Sequence, residues 1–145
     1  MDVYAEVQKF YAHQMPLLEN RQAEQFAATY TPDGVFEHAS GLFKLTGRAE
    51  IAGGTEASIK AYGGKAFRHW LNHLSVEQTG DEIHAGFTAI VSVTDDDGRV
   101  TWEPSCTVKD IIVRVDGRIL VRHRILSHDV ADMRRVWAGQ LDQSR

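Results

Sequence analysis

One cysteine in 145 residues, Cys106, excludes an intrachain disulfide. No stretch approaches the roughly 18 apolar residues that a membrane span needs, so no membrane association is expected. The N-terminus, Met-Asp-Val-Tyr-Ala-Glu, lacks a basic region followed by an apolar core. No secretory signal is therefore expected, and the expected location is cytoplasmic. Long basic runs are also missing. Arg114, Arg118, Arg122, Arg124, Arg134 and Arg135 cluster late, but acidic residues interleave them and the formal net charge is −4. That balance argues against nucleic acid as a partner. The glycine pairs Gly53-Gly54 and Gly63-Gly64 match neither GxGxxG nor GxxxxGK[ST], so no phosphate loop is present. HExxH and paired-cysteine signatures are absent too. His69 and His73 share a strand face, but four residues of strand separate Cα atoms by about 13 Å, too far to share one ion easily. Neither a metal nor a cofactor is expected.

What is present reads as one globular domain over residues 1–145, with 43% hydrophobic and 25% charged residues. The first half is helical. Val3, Tyr4, Val7, Phe10, Tyr11 and Met15 recur at helical spacing behind Asp2, a candidate N-cap, and Pro16 is expected to kink or end that helix. A short second helix carries Phe26, Ala27 and Tyr30, with Asn20 as cap and Pro32 as stop. A third runs from about Arg48 to Tyr62, weakened or broken by Gly53-Gly54, since each glycine costs about 1 kcal/mol relative to alanine.

The second half reads as strands: Phe67 to Gln78, Ile83 to Thr94, Val100 to Val115 and Ile119 to Ser127, rich in β-branched and aromatic residues. Thr79-Gly80-Asp81, Asp95-Asp96-Asp97-Gly98 and Asp116-Gly117 separate them, the last a two-residue type I′ hairpin signal. Short loops imply an antiparallel meander, with a brief strand, Val35 to Ala39, at one edge. A short amphipathic stretch (Val130, Met133, Val136, Trp137, Leu141) closes the chain. Helices followed by a meander imply an α+β fold, with helices on one face of a curved antiparallel sheet and a pocket between them.

Three stretches carry a family resemblance. Leu18-Glu19-Asn20-Arg21-Gln22 through Tyr30-Thr31-Pro32-Asp33-Gly34-Val35-Phe36 resembles the opening of the SnoaL-like superfamily, where a carboxylate ends the first helix. Phe67-Arg68-His69-Trp70-Leu71-Asn72-His73 is similar to its R-H-x-x-x-N strand. Lys109 to Gly117, followed by Arg122-His123-Arg124 and His128-Asp129, is similar to its last hairpin. The resemblance spans about residues 4–129 and implies the NTF2-like cone, a curved sheet wrapped around N-terminal helices. Fold alone does not settle activity in a superfamily of dehydratases, isomerases, cyclases, hydrolases and binders.

The resemblance assigns candidate roles. His69 falls where scytalone dehydratase and its relatives carry a catalytic histidine, and Glu19 takes the helix-end carboxylate position, usually Asp. A histidine near neutral pKa can take and return a proton, and a carboxylate beside it fixes its tautomer. His38 takes the place of a substrate-polarising tyrosine. Asp110 lies close to where ketosteroid isomerase places a protonated aspartate; the alternative is an ion pair with Arg124 across the hairpin. Strand alternation and family register then turn Phe36, Phe67, Leu71, His73, Cys106, Val108, Arg124 and His128 toward the pocket. Trp70, Asn72 and Leu74, with Val76 and Trp102, fall on the outer face, where a homodimer contact is expected. Cys106 reads as a small core residue.

The leading expectation is a cofactor-independent acid–base enzyme, a dehydratase, isomerase or cyclase, acting on a small polycyclic or polyketide-like substrate. The alternative is a non-catalytic ligand binder or small partner subunit on the same cone.

Overall fold

The computed structural model describes residues 2–143, and side chains over 2–139. Helix α1 (Val3–Glu19) starts where Asp2 Oδ1 accepts from the Ala5 amide at 2.8 Å. Val7, Tyr11, Gln14 and Met15 form its buried stripe. Pro16 lies inside α1 without ending it, and Asn20 caps its C-terminus rather than starting the next helix. Left-handed Arg21 (φ 61°) turns the chain into α2 (Ala23–Ala27), whose N-cap is Gln22. Tyr30, expected on that helix, instead opens strand β1 (Tyr30–His38), and Pro32 sits at an exposed position within it.

Strand β2 (Lys44–Thr46) leads into α3 (Arg48–Ala61), which is continuous through Gly53-Gly54, against the expectation of a break. Packing accounts for one of the two glycines. A Cβ on Gly54 would lie 2.6 Å from Leu45 Cδ1, whereas a Cβ on Gly53 would meet nothing within 4 Å. Helix propensity alone favours alanine by about 1 kcal/mol at either site. Gly53→Ala is therefore expected to raise the unfolding free energy by up to about 1 kcal/mol, and Gly54→Ala to lower it by roughly 1–2 kcal/mol through overpacking. Urea melts of the two variants check this, and Leu45→Ala should relieve the second.

Four long strands follow: β3 (Ala66–Thr79), β4 (Glu82–Thr94), β6 (Cys106–Val115) and β7 (Arg118–His128), with short β5 (Val100–Trp102) paired to β4. The sheet order is β2-β1-β7-β6-β4-β3. The long strands are an antiparallel meander, as the loops imply, while β1 lies parallel to β7. The expected single strand Val100–Val115 is split at Glu103-Pro104-Ser105, where proline cannot donate to a ladder. Asp116 (φ 51°) and Gly117 (φ 79°) both take the positive φ that a type I′ turn requires.

Two bulges decide which side chains face the helices. On β3 the register slips between Asn72 and Ser75, with His73 at φ 53°. Leu74 and Val76 then pack on the core, not on the outer face as alternation predicts. On β7 the slip opposite Ile111 and Ile112 turns both Val121 and Arg124 inward. A single extra residue reverses strand parity. The outer face keeps Trp70 and Trp102, each 55% exposed. Helix α4 (Met133–Gln143) ends the described chain, with Met133 buried; the Leu141 side chain lies outside the described residues. No helix among the described residues is long and apolar enough to cross a membrane.

Candidate functional site

Glu19 ends α1 and His69 lies on β3, and the two meet at an open pocket of about 340 Å³ between these elements. Met15, Leu71, Leu74 and Phe87 give it apolar walls, and Gln8, Tyr11 and Asn72 add polar edges. The carboxylate reaches the strand's main chain, not the ring. Glu19 Oε1 accepts from the His69 backbone N–H at 2.8 Å, and Oε2 lies 3.8 Å from Arg68 Nη1. This corrects the expected imidazole–carboxylate bond. Strand β3 is the sheet's edge, and an edge amide without a ladder partner takes the nearest acceptor.

The His69 ring is left with its Nδ1 buried and unpartnered. Burial first, and the Arg124 charge second, hold its pKa down to about 4. It is therefore neutral at pH 7, with one nitrogen lone pair available to accept a proton.

Asp110 is not a free acid. Its Oδ1 accepts from Arg124 Nε at 2.8 Å, and its Oδ2 from Arg124 Nη2 at 2.8 Å and from the Tyr11 hydroxyl at 2.7 Å. Both residues are buried. With three bonds accepted, two of them from a guanidinium, both oxygens are engaged, so the oxyanion-donor role gives way to the ion pair. Gln14, which sequence reading passed over, extends the network: its Oε1 accepts from Arg124 Nη2 at 2.7 Å and its Nε2 donates to Thr29 Oγ1 at 2.8 Å. The signal was available, because Gln14 falls on the Val7–Tyr11–Met15 stripe.

His38 and His128 form a separate pair. His38 Nε2 and His128 Nδ1 are 2.9 Å apart, the rings stack at 5.2 Å, and Ser40 Oγ lies 2.7 Å from His38 Nδ1. Trp137 of α4 packs edge-on against His128. Burial lowers both pKa values, His128 to about 4 with help from His38. His38 does not line the pocket that holds His69, so the shared-cavity expectation is corrected for this conformation. His73 is corrected more simply. At the bulge it is exposed, with Nδ1 3.1 Å from Thr88 Oγ1, on the outer face.

Of the remaining candidates, Leu71 lines the pocket, while Cys106 and Val108 are core residues. Phe36 packs with Phe26, Tyr30 and Phe43. Phe67 stacks on Tyr62 at 4.2 Å, and the Tyr62 hydroxyl donates to buried Glu103 at 2.6 Å. Glu103 was not legible in the sequence, because its burial depends on the break between β5 and β6. A larger concavity of about 610 Å³ lies on the outer sheet face, with His73, His84, Lys109 and His123 among its lining. It contains neither Glu19 nor an unpartnered buried nitrogen.

Comparison with known proteins agrees with this architecture. A family model described as a SnoaL-like domain matches residues 1–125. Aln2 from a Streptomyces species is 36% identical over 88% of this chain and 91% of its own, with a TM-score of 0.84. A Catenulispora acidiphila protein solved in complex with S-DNPA is 36% identical over 92% of this chain and 96% of its own, with a TM-score of 0.80. An NTF2-like protein with a cystatin-like fold from Novosphingobium aromaticivorans is 20% identical over 92% and 86%, with a TM-score of 0.78, and shares the fold alone. No curated protein matches the chain. The α+β cone, the helix-end pocket and the family match together make this chain a member of the SnoaL-like family, with a small-molecule-binding fold.

Proposed function

We propose that the protein is an acid–base enzyme, working without a cofactor, that moves protons on a small ring-bearing, polyketide-like molecule in dehydration, isomerisation or ring closure. The observation that carries this reading is His69: a neutral imidazole with an unpartnered buried nitrogen, at an apolar-walled pocket beside a carboxylate. A buried nitrogen without a partner is costly unless a ligand or a moving proton uses it. In the free protein the ring is a weak base. A ligand oxygen that gains negative charge as its neighbouring carbon loses a proton raises that basicity, and the Glu19 carboxylate, held on the His69 main-chain amide, adds negative charge to the same pocket. The S-DNPA complex of the Catenulispora relative supports a small organic ligand for this chain.

Deuterium exchange tests the proposal. S-DNPA and a panel of β-hydroxy and β-keto aromatic compounds are incubated with the protein in D2O and followed by NMR. Exchange or turnover is expected with the native chain, falling at least about 10²-fold in His69→Gln. Equal rates in the two proteins reject His69 as the base.

A non-catalytic binder is the second reading. It is favoured by Glu19 holding the strand amide instead of the imidazole. Tight binding with no exchange in any compound selects it.

A further inference from the structure

Away from the pocket that holds His69, Ser40, His38 and His128 join a hydroxyl to two imidazoles through short contacts. His38 ends β1, and Ser40 lies in the turn that leads to β2. The main chain holds that turn. The Ala39 amide donates to the Leu126 carbonyl oxygen at 2.8 Å, the Gly41 amide to that of His38 at 3.0 Å, and the His38 amide to that of Phe43 at 3.0 Å. Gly41 (φ 82°) takes the left-handed conformation that glycine accepts without strain. The His38 ring is fixed too, stacked on His128 at 5.2 Å and edge-on to Phe43 at 5.8 Å. His38 is 7% exposed, whereas Ser40 is open to solvent.

One main-chain group sets the direction of these hydrogen bonds. The Ser40 amide can only donate, and it donates to His38 Nδ1 at 3.2 Å. Burial lowers the His38 pKa, so the ring is neutral at pH 7, with its lone pair on Nδ1 and its proton on Nε2. Nε2–H then donates to His128 Nδ1 at 2.9 Å. The Ser40 hydroxyl, 2.7 Å from His38 Nδ1, donates to that same nitrogen. An exposed hydroxyl thus faces a base, and a third group orients the base, which is the arrangement of an activated nucleophile. Turn capping does not account for the hydroxyl, because the amide already reaches Nδ1 and alanine would keep that bond.

We propose that Ser40 is a nucleophile, with His38 as its general base and His128 as the residue that positions His38, and that it takes acyl groups from small activated esters. This is a second site, independent of the His69 pocket. Ser40 Oγ bonds to the ester carbonyl carbon, and its proton passes to His38 Nδ1. The bond from that carbon to the leaving oxygen then breaks, and the leaving oxygen takes the proton from Nδ1. Water, deprotonated by the same nitrogen, releases the acid and restores the hydroxyl. While His38 holds two protons its Nε2 still donates to His128 Nδ1, and the Asp129 charge favours positive charge on that second ring. An exposed turn supplies little binding energy, so the substrates it suits are compact esters with good leaving groups.

The full-length chain is treated with an alkyl fluorophosphonate, which turns an activated serine into a stable phosphonate ester as fluoride and the hydroxyl proton leave. Peptide mass spectrometry should find the label on Ser40. Labelling in His38→Ala should fall at least about 10²-fold and recover in part with added imidazole, a recovery that damage to the fold would not give. His128→Leu should slow labelling, and His128→Asn, whose Oδ1 can accept in place of Nδ1, should restore most of the rate. Native chain should also release p-nitrophenol from p-nitrophenyl acetate faster than Ser40→Ala, with the two melting temperatures equal. Absence of label on Ser40 at millimolar probe overturns the site. So does labelling spread evenly over exposed serines, a native labelling rate in His38→Ala, no recovery with imidazole, or equal ester hydrolysis by native chain and Ser40→Ala. Equal labelling in His128→Leu and His128→Asn removes the positioning role of His128.

Discussion

Asp110→Ala is expected to cost about 3–5 kcal/mol of stability, the usual penalty for breaking a buried ion pair from one side. Arg124 is 2% exposed, and in the variant it would keep its charge with only the Gln14 carbonyl oxygen as acceptor. The Tyr11 hydroxyl would lose its acceptor as well. For a domain of this length the loss corresponds to a fall in melting temperature on the order of 10 °C. The double variant Asp110→Ala/Arg124→Met should recover part of the loss, since removing both charges leaves no uncompensated ion. Thermal melts of the single and double variants check both expectations. A single variant within about 1 kcal/mol of native would mean that water reaches the pair.

Mild acid is expected to destabilise the fold through its buried histidines. His69 and His128 have folded pKa values of about 4, against 6.5 in the unfolded chain, and His38 is also lowered. Between pH 6.5 and 4 the unfolded chain therefore binds protons that the folded one refuses. Unfolding free energy must fall as pH falls through that window, and it levels off for these groups below about pH 4. A shift of this size at His69 corresponds to at most about 3 kcal/mol; His128, less buried, adds a smaller amount. The shifted carboxylates Glu6 and Glu82 are lowered from 4.5, so their stabilisation is lost only below that pH. Neither of these two carboxylates therefore contributes between pH 6.5 and 4.5, where the lowered histidines act. Urea unfolding at pH 7 and pH 5 should show the loss in the native chain and a clearly smaller one in His69→Gln. Identical slopes in the two chains would show that the imidazole protonates freely in the folded state.

The two expectations concern neighbouring parts of one interior. Asp110 neutralises Arg124, Arg124 helps keep His69 neutral, and Gln14 ties the cluster to the chain between α2 and β1. Changes at Asp110 should therefore alter the acid sensitivity of His69 as well as stability, because sites that share partners do not add independently.

Much of the fold was legible because its causes are local. Asp2 caps the amide three residues on, Asp116-Gly117 takes the only common turn with two positive φ values, and β4 alternates from Ile83 to Val91. The meander follows from loop length alone. The family resemblance, not the elements themselves, suggested that Glu19 and His69 share a pocket, and both line it.

What sequence could not decide was set by partners distant along the chain. Gly53-Gly54 reads as a helix breaker until Leu45 is seen against Gly54. The bulge after Asn72 moves His73 out and Leu74 in, because register is a property of two strands, and one extra residue reverses every later side chain. Asp110 carried two readings in the sequence, acid or anion. The choice fell to Arg124 and Tyr11, whose donors take up its oxygens, since the partners of a buried group are set by what packs around it and not by its place in the chain. The sequence by itself determined the elements, their order and the residues able to hold a proton. Only the tertiary structure decided which of those residues are paired and which, like His69, keep a polar atom without a partner.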